Sequence, residues 1–142
     1  MKAAIGNTLV LNIIVTFMSI VLLIIISSIV YTKAYRVKNR IIDEIEKVET
    51  YDADVDASLT TVFREIGYKT NNYMDNTKCE RYGSSETLVN PSSAYHYCVF
   101  KMESNTSKGG YYYKVVAFAY LDLPLVSAIQ VPVKGETKIF YK

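Results

Sequence analysis

Two cysteines, one histidine and a scatter of carboxylates are the residues of this 142-residue chain best suited to covalent, metal-binding or acid–base chemistry. His96 stands between two tyrosines in a strand-like run, AYHYCVF, with no partner fixed beside it, and general acid–base catalysis needs such a partner. No G-x-S-x-G, Walker or H-E-x-x-H pattern occurs. Two cysteines and one histidine also fall short of a four-ligand zinc set at recognisable spacing. The expectation is therefore no catalysis, no cofactor and no metal. Cys79 and Cys98 remain. In an oxidising compartment a bridge between them closes a loop of about 20 residues, worth roughly 3 kcal/mol by chain entropy. In a reducing one they are two separate buried thiols. The choice depends on which side of a membrane they occupy.

A membrane is implied by the N-terminal third. No charged residue occurs from Ala3 to Thr32, and Leu9 to Tyr31 reads LVLNIIVTFMSIVLLIIISSIVY. As a helix that run is roughly 34 Å long, enough to cross a hydrocarbon core of about 30 Å. It exceeds the apolar region of a cleavable secretory signal, about 7–15 residues. Lys33, Arg36, Lys38 and Arg40 crowd its C-terminal flank, against Lys2 and the α-amine at the other end. Charge counting alone would place the C-terminal domain in the cytoplasm. The cysteines and the abundance of tyrosine (13 residues) favour the opposite side, and we expect an extracytoplasmic domain. The helix should continue past the membrane. Val37, Ile41, Ile45 and Val48, widened by Ile42, form one apolar stripe, with Arg40 and Glu44, and Asp43 and Lys47, spaced to pair beside it. Residues 7–32 thus read as a transmembrane helix, 33–50 as its amphipathic extension and 51–142 as a small α+β domain.

Within that domain YDADVD (51–56) reads as an acidic break. Leu59, Val62, Phe63 and Ile66 share one face of a short helix from about Ser58, which Gly67 would end. Residues 68–93 are rich in Asn, Thr, Ser and Gly and read as loop. AYHYCVFKME (94–103) and YYYKVVAFAYL (111–121) read as strands of a hairpin joined by SNTSKGG. On the first, Cys98, Phe100 and Met102 share a face; on the second, Tyr112, Val116, Phe118 and Tyr120 do. These faces are expected to cover the helices. After Leu123-Pro124 regularity fades, and Thr137 to Tyr141 reads as a closing strand. The simplest assembly is α+β: a long N-terminal helix packed on a small antiparallel sheet. Asn105-Thr106-Ser107 matches a glycosylation acceptor in the hairpin turn.

The leader MKAAIG, the immediate apolar helix NTLVLNIIVTFMSIVLLIIISSIV, its amphipathic extension and the small C-terminal sheet together resemble type IV pilins and pseudopilins. The single early span with a small distal domain is also similar to the TadE-like minor pseudopilins of the tight-adherence pilus. The resemblance implies that residues 1–6 are a leader, cut after Gly6 by a membrane prepilin peptidase to leave Asn7 as the new N-terminus. It implies a domain outside the cell and partners that are other pilin or pseudopilin subunits, contacted through the membrane helix. One position departs from the pattern. The family usually carries glutamate five residues after the cleavage point, where this chain has Leu11, with Asn12 next to it. Without that carboxylate the chain would be a poor repeating subunit but could serve as a minor one. An amide at Asn12 would seek a hydrogen-bond partner on a neighbouring helix.

The net charge of +2, with acidic and basic residues interspersed, gives no footprint for nucleic acid. Two non-enzymatic functions therefore compete: a minor pseudopilin that helps assemble a surface filament or secretion apparatus, and a signal-anchored module whose Tyr-rich sheet binds a partner. A membrane-anchored enzyme would need convergent carboxylates that the sequence does not indicate.

Overall fold

The computed structural model describes residues 2–68, 79–90, 97–123 and 126–141. It begins with one unbroken helix, α1 (Lys2–Val48), 47 residues long. By length and composition this helix is long and apolar enough to cross a membrane, and a helix satisfies every backbone N–H and C=O internally, as a single span in lipid requires. Four hydroxyls in this segment turn back onto carbonyls one turn earlier: Thr16 to Asn12, Ser19 to Val15, Ser27 to Leu23 and Thr32 to Ser28, at 2.7–2.9 Å. Each is thereby satisfied without leaving its own helix. From Ile5 to Ile29 every large side chain but Val21 is exposed, whereas Ala34, Val37, Ile41 and Ile45 are fully buried. The amphipathic stripe therefore packs on the chain's own domain, and ends at Val48, which is exposed.

α1 stops where Glu49 takes a left-handed conformation (φ 59°), an unusual one for a residue with a side chain. The chain reverses and enters α2 (Ala53–Ile66), which starts earlier than the sequence suggests. Only Tyr51 and Asp52 of the acidic run lie in the break between the helices, and Ala53–Asp56 is helical. Asp52 is the N-cap, accepting from the Val55 N–H at 3.0 Å, and Asp54 and Asp56 lie in the first turn, where the helix dipole favours negative charge. Gly67 closes α2 at φ 67°, and Tyr68 N–H returns to the Phe63 carbonyl at 3.0 Å.

Three antiparallel strands follow in the order β1 (Tyr97–Glu103), β2 (Tyr111–Leu123), β3 (Val126–Glu136). The β1–β2 turn contains Gly109 and Gly110, both at positive φ, as the SNTSKGG stretch requires. Two expectations are corrected. The stretch after Pro124 is not irregular but carries β3, tolerated because Pro132 lies on an edge strand, where an absent N–H need not break the ladder. Residues 137–141 form no strand and add only an isolated bridge, Tyr111 to Phe140.

The third correction concerns the faces of the sheet. The side that meets the helices carries Tyr97, Val99, Tyr113, Val115 and Ala117, packed on Val37, Ile41 and Ile45 of α1 and on Val55, Leu59 and Phe63 of α2. Cys98, Phe100, Val116 and Phe118 point the other way, into a second cluster with Cys79, Tyr82 and Leu88. The sheet is thus buried on both sides, by helices on one and by the 79–90 segment on the other. The fold is α+β, with a long N-terminal helix on a small antiparallel sheet.

Candidate functional site

Gly6, Asn7, Leu11 and Asn12 all lie on the exposed, domain-free part of α1. Nothing approaches within 4 Å of where a Cβ on Gly6 would lie. Glycine inside a helix costs about 1 kcal/mol relative to alanine, so Gly6 weakens the helix locally at the Gly6–Asn7 bond. Leu11 is 61% exposed. Among the described residues the Asn12 side chain has no hydrogen-bond partner, unlike the hydroxyls further along the helix. Thr8, Asn12, Thr16 and Ser19 succeed one another at spacings of four, four and three, so a polar seam runs up one side of an otherwise apolar rod. Thr8, Asn12 and Thr16 line a shallow, open groove along the helix with Leu9, Ile13 and Phe17, not an enclosed cavity.

The far end of the molecule is held differently. Cys79 and Cys98 are joined in a disulfide, with Cα atoms 5.8 Å apart and both residues buried. The bridge fastens the 79–90 segment to the middle of the sheet. Gly83 lies against the Phe100 ring, where an added Cβ would come within 2.5 Å of the ring carbons. Lys114 donates to the Tyr82 carbonyl at 3.0 Å, and the Lys134 ammonium sits 5.2 Å from the Tyr82 ring centroid. Asn90, buried, completes the attachment. Its amide donates to the Tyr97 carbonyl at 3.0 Å while its oxygen accepts from the Val99 N–H at 2.6 Å, so one side chain occupies the open edge of β1 as a strand would.

One cluster of titratable groups is half-buried between α2 and β1. The Tyr51 and Tyr97 hydroxyls reach the same Asp56 oxygen at 2.7 and 2.8 Å and lie 2.7 Å from each other. Burial, then the neighbouring Tyr97 and Asp56, pushes the Tyr51 phenol far above its ordinary value of 10.0. Burial does the same to Tyr68, whose hydroxyl donates to the Phe118 carbonyl at 3.0 Å and accepts from the Phe118 N–H at 3.2 Å, one residue past the last β2 position paired with β1. Phenols held neutral in this way are suited to positioning backbone, not to proton transfer near neutral pH. Among the described residues no group of three His, Cys, Asp or Glu side chains could hold a metal ion. His96 lies outside the described residues. Asn105 is exposed in the β1–β2 turn, as a glycosylation acceptor must be.

No known protein family, no curated protein and no solved structure matches this chain. Functional inference therefore rests on the residues themselves. Sequence reasoning identified the cysteine pair. It missed the Asn90 clamp and the Tyr51–Asp56–Tyr97 cluster, for which no local pattern exists, and the Asp52 cap, which the Asp-before-apolar-stripe signal could have revealed.

Proposed function

We propose that the protein is a minor pseudopilin, a non-enzymatic subunit that helps assemble a type IV or Tad-like surface filament or a related secretion apparatus. The observation that supports this most is the course of α1. A glycine-ended hexapeptide runs directly into an uncharged, domain-free helix, and the same helix then becomes the spine of a small disulfide-clamped domain. In such a subunit, prepilin peptidase cuts after Gly6, the domain lies outside the membrane and the exposed half of α1 packs against neighbouring subunits. The polar seam at Thr8, Asn12 and Thr16 gives that packing a preferred side, since an amide in lipid gains most from a partner helix. Leu11, in place of the usual carboxylate, leaves no group to neutralise a neighbour's N-terminal amine, which favours a tip or initiating position over a repeating one.

N-terminal sequencing of the mature protein should begin at Asn7 and should begin at Met1 when Gly6 is replaced by a bulky residue. A Met1 start in the unaltered protein, in cells with an active prepilin peptidase, overturns the processed form.

Leu11 also supports a second reading, a signal-anchored binding module in which α1 is only a tether. Replacing residues 7–32 with an unrelated span separates the two, because a tether survives the exchange and an assembling helix does not.

A further inference from the structure

The β2–β3 hairpin descends along α1 towards the span. At its upper end the Tyr111 hydroxyl donates to the Glu49 carbonyl at 3.0 Å. Midway, Gly135 rests against the side chains of Lys38 and Ile42. Lower still, Ala119 and Val133 pack on Ala34 and Val30. β1 pairs with β2 only as far as Ala117, yet the β2–β3 ladder continues through Tyr120–Gln130 and Leu121–Ile129 to Leu123–Val126. At about 3.3 Å per residue, Leu123 lies roughly 13 Å past Ala119. On α1, at about 1.5 Å per residue, that is the level of residues near Ile25.

That level can be placed against a bilayer. The uncharged stretch from Ala3 to Thr32 measures roughly 45 Å as a helix, which matches hydrocarbon core plus both interfaces, about 40–45 Å. Centring a core of about 30 Å on this stretch puts its upper boundary near Ser27 and Ser28. The end of the hairpin therefore meets the boundary between headgroups and acyl chains. Its composition suits that depth. Between Lys114 and Lys134 the only charged residue is Asp122, and the run LDLPLV around the hairpin end is otherwise apolar. A deeper position is unfavourable, because open strand edges are not tolerated in hydrocarbon. A two-stranded ribbon standing free in water would be marginal. Where the hairpin leaves the domain, a cleft lined by Val30, Lys33, Tyr68 and Tyr120 opens at the first charged turn of α1, and its tyrosines suit the interface.

We propose that the β2–β3 ladder, at its last described pair Leu123–Val126, makes a second membrane contact in the interface of the same bilayer that α1 crosses, so that the domain is held against the lipid surface. This rests on α1 spanning the membrane but not on the pilin reading.

The chain contains no tryptophan, so a single introduced one reports its own surroundings. Full-length Leu123→Trp, Phe17→Trp and Ile139→Trp are to be placed in phosphatidylcholine vesicles brominated at shallow or deep acyl positions. Leu123→Trp should show blue-shifted emission that shallow bromines quench more than deep ones. Phe17→Trp should show the reverse order, and Ile139→Trp, at the far end of the domain, should be quenched by neither. Val126→Trp repeats the measurement from the facing strand in case Leu123→Trp does not fold. If Phe17→Trp is quenched while both hairpin reporters are not, the hairpin contact is overturned and the span stands. Blue-shifted but unquenched hairpin reporters also overturn it, since protein and not lipid then covers the hairpin. If Phe17→Trp escapes quenching, the span and the hairpin contact fall together.

Discussion

The two faces of the sheet are covered by opposite means. On one, α1 and α2 bring Val37, Ile41, Ile45, Leu59 and Phe63 against Tyr97, Val99, Tyr113 and Val115, and regular helices supply the cover. On the other, the described residues that cover Phe100, Val116 and Phe118 belong to a short segment, 79–90, which is mostly turns and includes a 3₁₀ turn (Ser85–Thr87). A segment built mostly of turns gains little by ordering itself, so it depends on attachments: the disulfide, the Asn90 amide and the Lys114–Tyr82 bond. The helix face is held by packing and the loop face by fasteners. Substitutions should therefore act globally on the first and locally on the second.

The largest effect is expected at Phe63, fully buried and in contact with the Tyr68 and Tyr97 rings at centroid distances of 5.7 and 5.3 Å. Phe63→Ala should cost about 4 kcal/mol and lower the denaturation midpoint of the whole domain, with the disulfide still intact. As a control on the same scale, Ile13→Ala on the exposed half of α1 should leave that midpoint unchanged, because Ile13 touches no part of the domain. A midpoint that moves equally for both would remove the distinction between the two halves of α1.

Cys98→Ser tests the fasteners. Loss of the bridge should cost roughly 3 kcal/mol. Hydrogen exchange should quicken first over residues 79–90 and only later in the backbone of β2. Uniform acceleration across the sheet would mean that the disulfide supports both faces alike. A smaller, equally local loss is expected for Asn90→Ala, which leaves the Val99 N–H and Tyr97 carbonyl without the amide that fills the β1 edge. One buried unmet pair costs about 1–3 kcal/mol.

The same contrast explains what could be read from the sequence. α1 and the helix-face stripe were legible because periodicity at 3.6 residues and an unbroken apolar run are properties of neighbouring residues. The sheet's orientation was not. Tyr97 and Val99 on one side of β1 and Cys98 and Phe100 on the other are all apolar, so alternation, which identifies a strand with one wet face, carries no information about one buried on both. β3 was obscured by Pro124, Pro132 and Gly135, residues that signal a turn locally. Gly135 is accommodated because Lys38 and Ile42 of α1 come so close that a Cβ would meet them at 2.7 and 2.8 Å. The candidate site divides in the same way. Gly6, Asn7, Leu11 and Asn12 form a contiguous pattern and the cysteines are a pair, whereas Asn90 and the Tyr51–Asp56–Tyr97 cluster exist only once residues 41–46 positions apart in the chain, or a loop and a strand edge, have been brought together.

The smallest effect at neutral pH, and the one with the clearest signature, concerns the phenols of the helix face. Tyr51 and Tyr68 have folded-state values raised above 10.0, chiefly by burial. Each therefore contributes stability that is fully present below pH 10 and is lost as pH rises beyond it, because the unfolded chain releases a proton that the folded chain retains. The loss should approach, per phenol, at most about 1.4 kcal/mol for each pH unit. Tyr51→Phe removes one of these terms. Near pH 7 the variant should be less stable by about 1 kcal/mol, since the hydrogen bond to Asp56 disappears while Tyr97 keeps its own. Above pH 10 its denaturation midpoint should fall less steeply than that of the unaltered protein, and the two curves should approach and cross. Parallel curves would show that Tyr51 ionises as freely in the folded domain as in the unfolded chain, and that the cluster between α2 and β1 is wetter than its geometry implies.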